Sequence, residues 1–319
     1  MSAPVGIVGA GAFGTALAVA LARADTPVHL WGRDRAILSG SARTRRMPRL
    51  PGVTLPAPIM PTADATDLAA CETVLMAVPM QTLGAVLADL PLRPAHLVAA
   101  CKGVDLATGR GATATLRDMR PDAVPAILSG PSFAADIAQG LPTALVLGCA
   151  DDAVGAMLQA RLATPVLRVY RSTDTIGVEL GGALKNVVAI ACGAAIGAGL
   201  GDSARAALMT RGMAEMMRLA AAMGARTETL MGLSGLGDLA LTCASPQSRN
   251  FALGHAIGAG SVRPDATTEG VATARAALDL AACHDIDLPV TRATAGLVAG
   301  DLTVENAMHA LLSRDLRSE

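Results

Sequence analysis

Short, continuous apolar runs alternate with helix-like stretches through the first half of the chain. Seven runs have the length and the aliphatic content of buried strands: residues 5–8, 28–31, 74–78, 97–100, 126–128, 144–147 and 166–170. Such runs, separated by helical patterns, predict a parallel sheet that is covered on both faces. After residue 170 the strand-like runs end. Five later stretches have helical spacing: residues 174–196, 203–223, 249–257, 268–283 and 304–312.

A glycine motif follows the first apolar run directly. The run 5–8 leads into Gly9-x-Gly11-x-x-Gly14, and a helix-like stretch follows over residues 15–23. The first glycine permits a tight turn, the second lets backbone approach a pyrophosphate, and the third lets the helix pack on the strand. The phosphates then meet a helix N-terminus, which attracts anions. This setting predicts a site for a dinucleotide cofactor, NAD or NADP.

The end of the second apolar run bears on the choice between these two cofactors. An NAD-selective site usually has an acidic residue at this strand end. Here Gly32 and Arg33 come first, and Asp34 stands one or two positions late. Arg33 could bind a 2′-phosphate through two parallel hydrogen bonds. We therefore expect NADP(H) to be accepted.

The order of the elements predicts two domains, because strands are followed by helices. We expect an α/β Rossmann-type N-terminal domain over residues 1–170 and an all-α C-terminal domain over residues 171–319. Residues 187–201 form an uncharged run that is too short to span a membrane. We interpret it as part of a buried helix, rich in alanine and glycine so that another backbone can approach closely, and we expect no membrane insertion.

The composition excludes several classes of protein. Hydrophobic residues make up 52% of the 319 residues and charged residues 17%, which excludes a disordered chain. A net charge of −1 and an aromatic content of 2% give no reason to expect nucleic acid as a partner. The six cysteines never form a CxxC pair, so we expect reduced thiols in a cytoplasmic protein, without a disulfide framework or a metal site.

Two lysines stand out, because the other 24 of the 26 basic residues are arginines. A chain with this bias is expected to keep lysine where arginine fails. Arginine fails where a proton must be given up, since a guanidinium stays protonated in proteins. Both Lys102 and Lys185 lie in apolar, glycine-rich surroundings. They are the first candidates for chemistry.

Four further segments suggest a site for a small anionic substrate. They are residues 129–134 (SGPSFA), the pair Lys185-Asn186, residues 232–238 (GLSGLGD) and residues 248–250 (SRN). The first follows a strand, where ligands bind in such sheets. The third reads as a glycine-rich loop ending in Asp238, and the fourth as a helix start that suits an anion. Taken singly, Asp238 and Ser248 are more simply explained as helix caps.

Together these stretches resemble the bacterial NAD(P)-dependent glycerol-3-phosphate dehydrogenases. The matching stretches are GAGAFGTALA, ACKG, LSGPSFA, IGVELGGALKNVVAI, GDSARAALMTRGMAEM, GLSGLGDLALTC, SPQSRN and TTEGV. The resemblance implies reversible conversion of sn-glycerol 3-phosphate to dihydroxyacetone phosphate, running mainly towards glycerol 3-phosphate for phospholipid synthesis. Two positions depart from the family, which often has aspartate and tyrosine where Ile196 and Leu200 stand.

The resemblance also implies roles for individual residues. Lys185 would accept and donate the proton at the C2 oxygen of the substrate. The substrate contacts would be Lys102, Gly130, Ser132, Lys185, Asp238, Ser248, Arg249 and Asn250. The cofactor contacts would be Gly9, Gly11, Ala12, Phe13, Gly14, Arg33, Lys102, Ala134, Arg249 and Glu269.

Two alternatives stay open from the sequence. One is a related two-domain 3-hydroxyacid dehydrogenase, which also has a Lys-Asn pair on a long helix but binds a carboxylate in place of the phosphate. The other is a non-catalytic NADP(H)-sensing protein, against which Lys185 in an apolar helix counts. The sequence leaves the oligomeric state undecided, with a homodimer among the expectations.

Overall fold

The computed structural model describes residues 3–261 and 268–313, and within these ranges the chain forms two compact units. The first comprises Met1–Lys102 and Arg110–Glu179, and the second comprises Gly103–Gly109 and Leu180–Glu319. The domain limits expected from the sequence, 1–170 and 171–319, stay a prediction. Residues 1–2, 262–267 and 314–319 of those domains lie outside the described ranges.

The first unit is built on an eight-stranded sheet. Its strands are β1 (Val5–Val8), β2 (Val28–Trp31), β3 (Ile59–Thr62), β4 (Thr73–Met76), β5 (His96–Ala99), β6 (Val124–Ser129), β7 (Thr143–Cys149) and β8 (Leu167–Ser172). The spatial order is β3-β2-β1-β4-β5-β6-β7-β8. In β1, Val5 pairs with Val28 on one side and with Thr73 on the other. The chain order reverses beside β1, which is the switch point where ligands bind in such sheets.

Helices and the buried faces of the strands form the core of this unit. The helices are α1 (Ala12–Arg23), α2 (Arg35–Thr44), α3 (Met80–Asp89), α4 (Ala112–Met119), α5 (Ala134–Gln139) and α6 (Asp152–Leu162), with a 3₁₀ helix at Ala65–Ala70. All four residues of β1 are buried, as are nine of the twelve residues of α1. This continuous burial explains why β1 is apolar throughout and why α1 is almost entirely so, with Thr15 and Arg23 as its polar residues.

One part of the sheet differs from the parallel arrangement that the sequence predicted. Strand β7 runs antiparallel to β6, whereas β7 and β8 are parallel to each other. The connection explains the difference. Helix α5 has six residues and is about 9 Å long, whereas β6 also has six residues and spans about 20 Å. The helix is too short to return the chain to the opposite edge, so β7 starts at the edge where β6 ended.

The sequence also missed one strand and one long helix. Strand β3 lies at the edge of the sheet, with Met60 exposed and Pro61 inside it. Proline is tolerated at an edge because the missing N–H has no partner strand to meet. Helix Pro289–Ala299 starts with proline at its first position, where a helix tolerates it. The predicted strands otherwise agree with the observed ones to within three residues at each end.

The second unit is helical. A long helix, α7 (Thr175–Gly197), begins in the first unit. The others are α8 (Gly201–Ala222), α9 (Thr227–Leu230), a π-helical turn (Leu233–Gly237), α10 (Asp238–Cys243), α11 (Arg249–Gly258), α12 (Glu269–Cys283), α13 (Pro289–Ala299) and α14 (Val304–Leu312). The predicted α/β fold followed by a helical domain is confirmed.

Helices α7 and α11 touch backbone to backbone through glycines. A Cβ atom added at Gly193 would lie 2.1 Å from the carbonyl oxygen of Phe251, and one at Gly254 would lie 2.0 Å from that of Ile190. Any larger residue would push the two helices apart. This contact confirms the close backbone approach expected from the alanine- and glycine-rich run, and it brings the start of α11 beside the middle of α7.

Helix α7 also has the length and apolarity of a membrane-spanning segment. Within the described residues, Thr175–Gly197 alone passes that test, and 89% of its most apolar window is buried inside the protein. Burial against its own chain is what the core helix of a folded domain shows.

Candidate active site

The turn between β1 and α1 has the geometry expected of a dinucleotide-binding loop. Gly9 has a φ of +116°, and a Cβ there would lie 2.4 Å from the carbonyl oxygen of Ala77. A Cβ at Gly14 would lie 2.1 Å from the carbonyl oxygen of Gly9, so the helix rests directly on the turn. At Gly11 a Cβ would meet no protein atom within 4 Å. Packing within the chain therefore explains why Gly9 and Gly14 are glycines, but it does not explain Gly11.

Gly11 instead fits a bound pyrophosphate. Gly11 is the N-cap of α1, where the first N–H groups of the helix lack partners within the helix. The open space over Gly11 is what a phosphate needs in order to reach those N–H groups. Ala12 and Phe13 form the first turn of α1 and are half-buried. The residues present therefore fit a dinucleotide, which would be held here.

Two more of the predicted cofactor residues lie at the ends of neighbouring elements. Arg33 follows the end of β2 and is exposed, as a residue that meets a 2′-phosphate must be. Asp34 accepts a hydrogen bond of 3.0 Å from the N–H of Ile37 and caps α2. One carboxylate oxygen of Asp34 is therefore engaged in capping α2. Ala134 is the first residue of α5, which packs against α1.

Lys102, Gly130 and Ser132 lie together after the ends of β5 and β6. The Lys102 ammonium donates to the carbonyl oxygen of Gly130 at 3.2 Å, and the Ser132 hydroxyl donates to the same oxygen at 3.1 Å. Gly130 has a φ of +135°, a conformation that side chains rarely allow. Two donors thus converge at the carboxyl edge of the sheet, and a ligand with acceptor oxygens could bind both.

Lys185 is the centre of a buried polar group in the helical unit. Its Nζ donates to Oδ1 of Asp238 at 2.5 Å and to Oγ1 of Thr242 at 2.7 Å. Lys185 is 6% exposed and Asp238 is fully buried. A buried ammonium needs a charged or hydrogen-bonded partner, and it has both here. The structure therefore brings the predicted proton donor and the predicted carboxylate into direct contact.

The segment before Asp238 is helical, and its interpretation as a loop is wrong. Leu233–Gly237 forms a π-helical turn that continues into α10, with Asp238 as the first residue. Glycine makes this packing feasible, because a Cβ at Gly235 would lie 1.9 Å from the carbonyl oxygen of Leu230. π-Helical turns often mark functional sites. Asp238 does not cap its helix, and its carboxylate contacts Lys185 instead.

Ser248, Arg249 and Asn250 lie at the start of α11. The hydroxyl of Ser248 accepts from the N–H of Phe251 at 3.2 Å, so Ser248 is the helix cap. Arg249 is exposed. Asn250 is buried, and its side chain contacts Asn186 on α7 and the backbone of Gly270 on α12. Glu269, the last predicted cofactor contact, is the first residue of α12 and is partly exposed.

Sequence reasoning missed Thr242, which contacts both members of the central pair. Its hydroxyl accepts from Lys185 and lies 3.4 Å from Oδ1 of Asp238. Thr242 stands four residues after Asp238, which is the spacing of neighbours on one helix face. The signal was present, but the interpretation of residues 232–238 as a loop hid the helix that begins at Asp238. Beside it, a hydrogen bond with Cys192 and burial raise the pKa of Cys243, so that thiol stays neutral.

The fold and these side chains define a class of protein. A dinucleotide-type turn on a Rossmann-type sheet, and a buried lysine–carboxylate pair on helices, are typical of nicotinamide-dependent oxidoreductases.

The chain belongs to the NAD-dependent glycerol-3-phosphate dehydrogenase family. The models of that family's N-terminus and C-terminus match residues 4–155 and 174–309. The prediction of this family is thereby confirmed.

Individual relatives agree along their whole lengths. A glycerol-3-phosphate dehydrogenase [NAD(P)+] of Cereibacter sphaeroides is 57% identical, over 99% of this chain and 100% of its own. One from Paracoccus denitrificans is 55% identical, over 99% of each chain. The crystal structure of glycerol-3-phosphate dehydrogenase from Coxiella burnetii superposes with a TM-score of 0.92 at 34% identity, covering 98% of this chain and 99% of that one. A ketopantoate reductase from Ralstonia eutropha, at 18% identity and a TM-score of 0.61, shares the fold alone.

Proposed function

We propose that the protein interconverts sn-glycerol 3-phosphate and dihydroxyacetone phosphate with NAD(P)(H), running mainly towards glycerol 3-phosphate for phospholipid synthesis. The observation that carries the proposal is the buried contact of Lys185 with Asp238 and Thr242. A non-catalytic sensor of NADP(H) has no use for a costly buried ammonium with an oriented carboxylate. The relatives are named for the same activity.

Lys185 would handle the proton at the C2 oxygen of the substrate. The bound nicotinamide would supply or accept the hydride. As negative charge grows on the C2 oxygen, the Lys185 ammonium stabilises it and gives up a proton. Asp238 and Thr242 fix the direction of the Nζ–H bonds, and two of the three ammonium protons are already assigned to them.

The phosphate of the substrate would bind at the start of α11. This helix has ten residues, and Ser248 satisfies only the N–H of Phe251. The N–H groups of Arg249 and Asn250, at the positive end of the helix, suit a dianion. The exposed guanidinium of Arg249 can add two parallel hydrogen bonds. Binding energy from the phosphate would then position the reacting carbon.

Lys102, Gly130 and Ser132 would complete the substrate contacts in the first unit. The two side-chain donors are already held on the Gly130 carbonyl, which lowers the entropy lost when a ligand replaces that contact. The Lys102 ammonium and the Ser132 hydroxyl are polar, so they favour hydroxyl and phosphate oxygens of a ligand over an apolar group. We further propose that the enzyme acts in the cytoplasm, on a small phosphorylated substrate, as a homodimer.

The test is NAD(P)H oxidation in the presence of dihydroxyacetone phosphate. Turnover with dihydroxyacetone phosphate, and much weaker turnover with unphosphorylated dihydroxyacetone, is the expected result. A panel of 3-oxoacids and ketopantoate serves as the comparison, because these substrates carry a carboxylate in place of the phosphate. Faster reduction of any of these acids would replace the proposal with the related hydroxyacid dehydrogenase, and binding of NADPH without any turnover would favour the sensor.

A further inference from the structure

Asn186 is the residue next to the catalytic lysine, and its side chain faces a different partner. Its Oδ1 accepts a hydrogen bond of 2.9 Å from Nδ2 of Asn250, and its own Nδ2 lies 3.4 Å from the carbonyl oxygen of Gly182. Asn186 is 4% exposed and Asn250 is 8% exposed. The two amides therefore form a buried link between α7 and the start of α11, which carries Arg249.

The link continues to a third helix. Oδ1 of Asn250 accepts a hydrogen bond of 3.0 Å from the N–H of Gly270, the second residue of α12. The backbones are also in contact, because a Cβ at Gly270 would lie 2.7 Å from the carbonyl oxygen of Asn186 and 2.8 Å from Oδ1 of Asn250. Glu269 immediately precedes this glycine. The first turn of α12 is thus held by the amide of Asn250, which is itself oriented by Asn186.

We infer that Asn186 is a positioning residue that couples binding of the substrate phosphate at α11 to binding of the dinucleotide at Glu269. The inference rests on the proposed function, which assigns Arg249 to the phosphate, and on the cofactor contact that the resemblance implies for Glu269. A phosphate bound at the start of α11 restrains Asn250. Through the Gly270 N–H, the restrained amide fixes the turn that presents Glu269.

An amide suits this role for a physical reason. Asn250 uses its donor towards Asn186 and its acceptor towards Gly270, so its amide must point one way round. Without the acceptor oxygen of Asn186, only the Gly270 N–H still favours this orientation of the Asn250 amide, so the amide is held less firmly. Asparagine achieves this orientation without placing a further charge beside Lys185.

Coupling can be measured without turnover. NADPH and glycerol 3-phosphate are both reduced, so they form a ternary complex that cannot react. The dissociation constant of NADPH, followed by its fluorescence, is measured without and with saturating glycerol 3-phosphate. The ratio of the two constants is the coupling factor, and linkage requires the same factor for either order of binding. For the wild-type protein we expect a factor of about 5 or more, within the usual range of such couplings.

Two variants remove the link in different ways. Asn186→Ala removes the acceptor, and Gly270→Ala keeps both amides but forces α12 away from them. Both are expected to reduce the coupling factor to within about twofold of one, and Asn186→Ala is expected to bind NADPH alone within about threefold of the wild-type constant. Thr294→Ala is the control, because this threonine is fully buried in α13 and bonds only within its own helix, to Val290. The control is expected to keep the wild-type coupling.

The outcomes separate the inference from the proposed function. Coupling that survives in Asn186→Ala or, if that variant does not fold, in Gly270→Ala overturns the inference. A wild-type protein that reduces dihydroxyacetone phosphate but shows no coupling overturns it as well and leaves the proposed function standing. A wild-type protein that binds NADPH but neither binds glycerol 3-phosphate nor turns over contradicts both.

Discussion

The Nζ atom of Lys185 lies 2.5 Å from Oδ1 of Asp238, although 53 residues separate the two in the chain. The lysine comes from the middle of α7 and the aspartate from the first residue of α10. Taking both charges out of water costs free energy, which their attraction offsets only with good geometry and further hydrogen bonds. Thr242 supplies one such bond. A buried ion pair of this kind is weak evidence for stability. A role in proton transfer explains its presence better.

Lys185→Arg is expected to be nearly as damaging to turnover as Lys185→Ala. Arginine keeps the charge but cannot release its proton, and a general acid contributes about 10²- to 10⁴-fold in rate. The planar guanidinium also needs more room than the ammonium between Asp238 and Thr242. The measurement is kcat at saturating dihydroxyacetone phosphate and NADPH. Retention of more than about a tenth of wild-type kcat by Lys185→Arg would contradict proton transfer by this residue.

Gly11→Ala is expected to weaken cofactor binding, whereas Gly14→Ala is expected to destabilise the fold. A Cβ at Gly11 enters open space, so the fold loses at most about 1 kcal/mol, while the pyrophosphate is obstructed. A Cβ at Gly14 lies 2.1 Å from the Gly9 carbonyl oxygen, so that variant is destabilised by about 1–3 kcal/mol or more. Thermal unfolding and NADH titration of both variants test this. Normal NADH affinity in a folded Gly11→Ala protein would show that the pyrophosphate does not bind at this turn.

The sequence predicted local features of the site better than distant ones. Gly9, Gly11 and Gly14 could be interpreted because their roles depend on a single turn and the elements on either side of it. Thr242 was missed, since its contact with Lys185 depends on α10 packing beside α7, and the four-residue spacing from Asp238 indicates only a shared helix face. The direction of β7 was likewise hidden, because it depends on the length of α5, and helix ends are poorly marked in the sequence.

Arg33→Ala is expected to weaken NADPH binding and to leave NADH binding unchanged. Arg33 is exposed at the end of β2, where an acidic residue would repel a 2′-phosphate. A charge-assisted contact of this kind corresponds to about 10- to 150-fold in affinity. Dissociation constants for both cofactors, measured on the same preparation, give the comparison. Equal losses for NADPH and NADH would assign the 2′-phosphate contact to another residue.

Glu215 is expected to make the stability of the protein fall as pH rises. Its carboxylate accepts from the N–H groups of Val290 and Thr291 at 2.6 and 3.0 Å, and burial raises its pKa above the usual 4.5. The folded state thus holds this proton more tightly than the unfolded chain does. The resulting stabilisation is complete below pH 4.5 and is lost as pH rises through the folded-state pKa.

The variant Glu215→Gln isolates that contribution, because it cannot titrate. Its free energy of unfolding relative to wild type is expected to increase with pH from 4.5 upwards. Urea unfolding at several pH values measures the difference. Glu305→Gln, the same change at an exposed residue of α14, is the control. A constant difference between Glu215→Gln and wild type across the range would show that folding does not raise the pKa of Glu215.

Arg249→Leu is expected to harm reduction of dihydroxyacetone phosphate more than reduction of dihydroxyacetone. The exposed guanidinium stands at the first residue of α11, and Ser248 leaves neighbouring N–H groups of that helix for an anion. Losing a charged partner of the phosphate corresponds to about 10- to 150-fold in kcat/KM. The unphosphorylated substrate never used that contact. Because Arg249 is also a predicted cofactor contact, some loss should be common to both substrates, and the excess for the phosphorylated one is the quantity to measure. If both substrates lose the same factor, Arg249 serves the cofactor or the fold, and Lys102 becomes the next candidate for the phosphate.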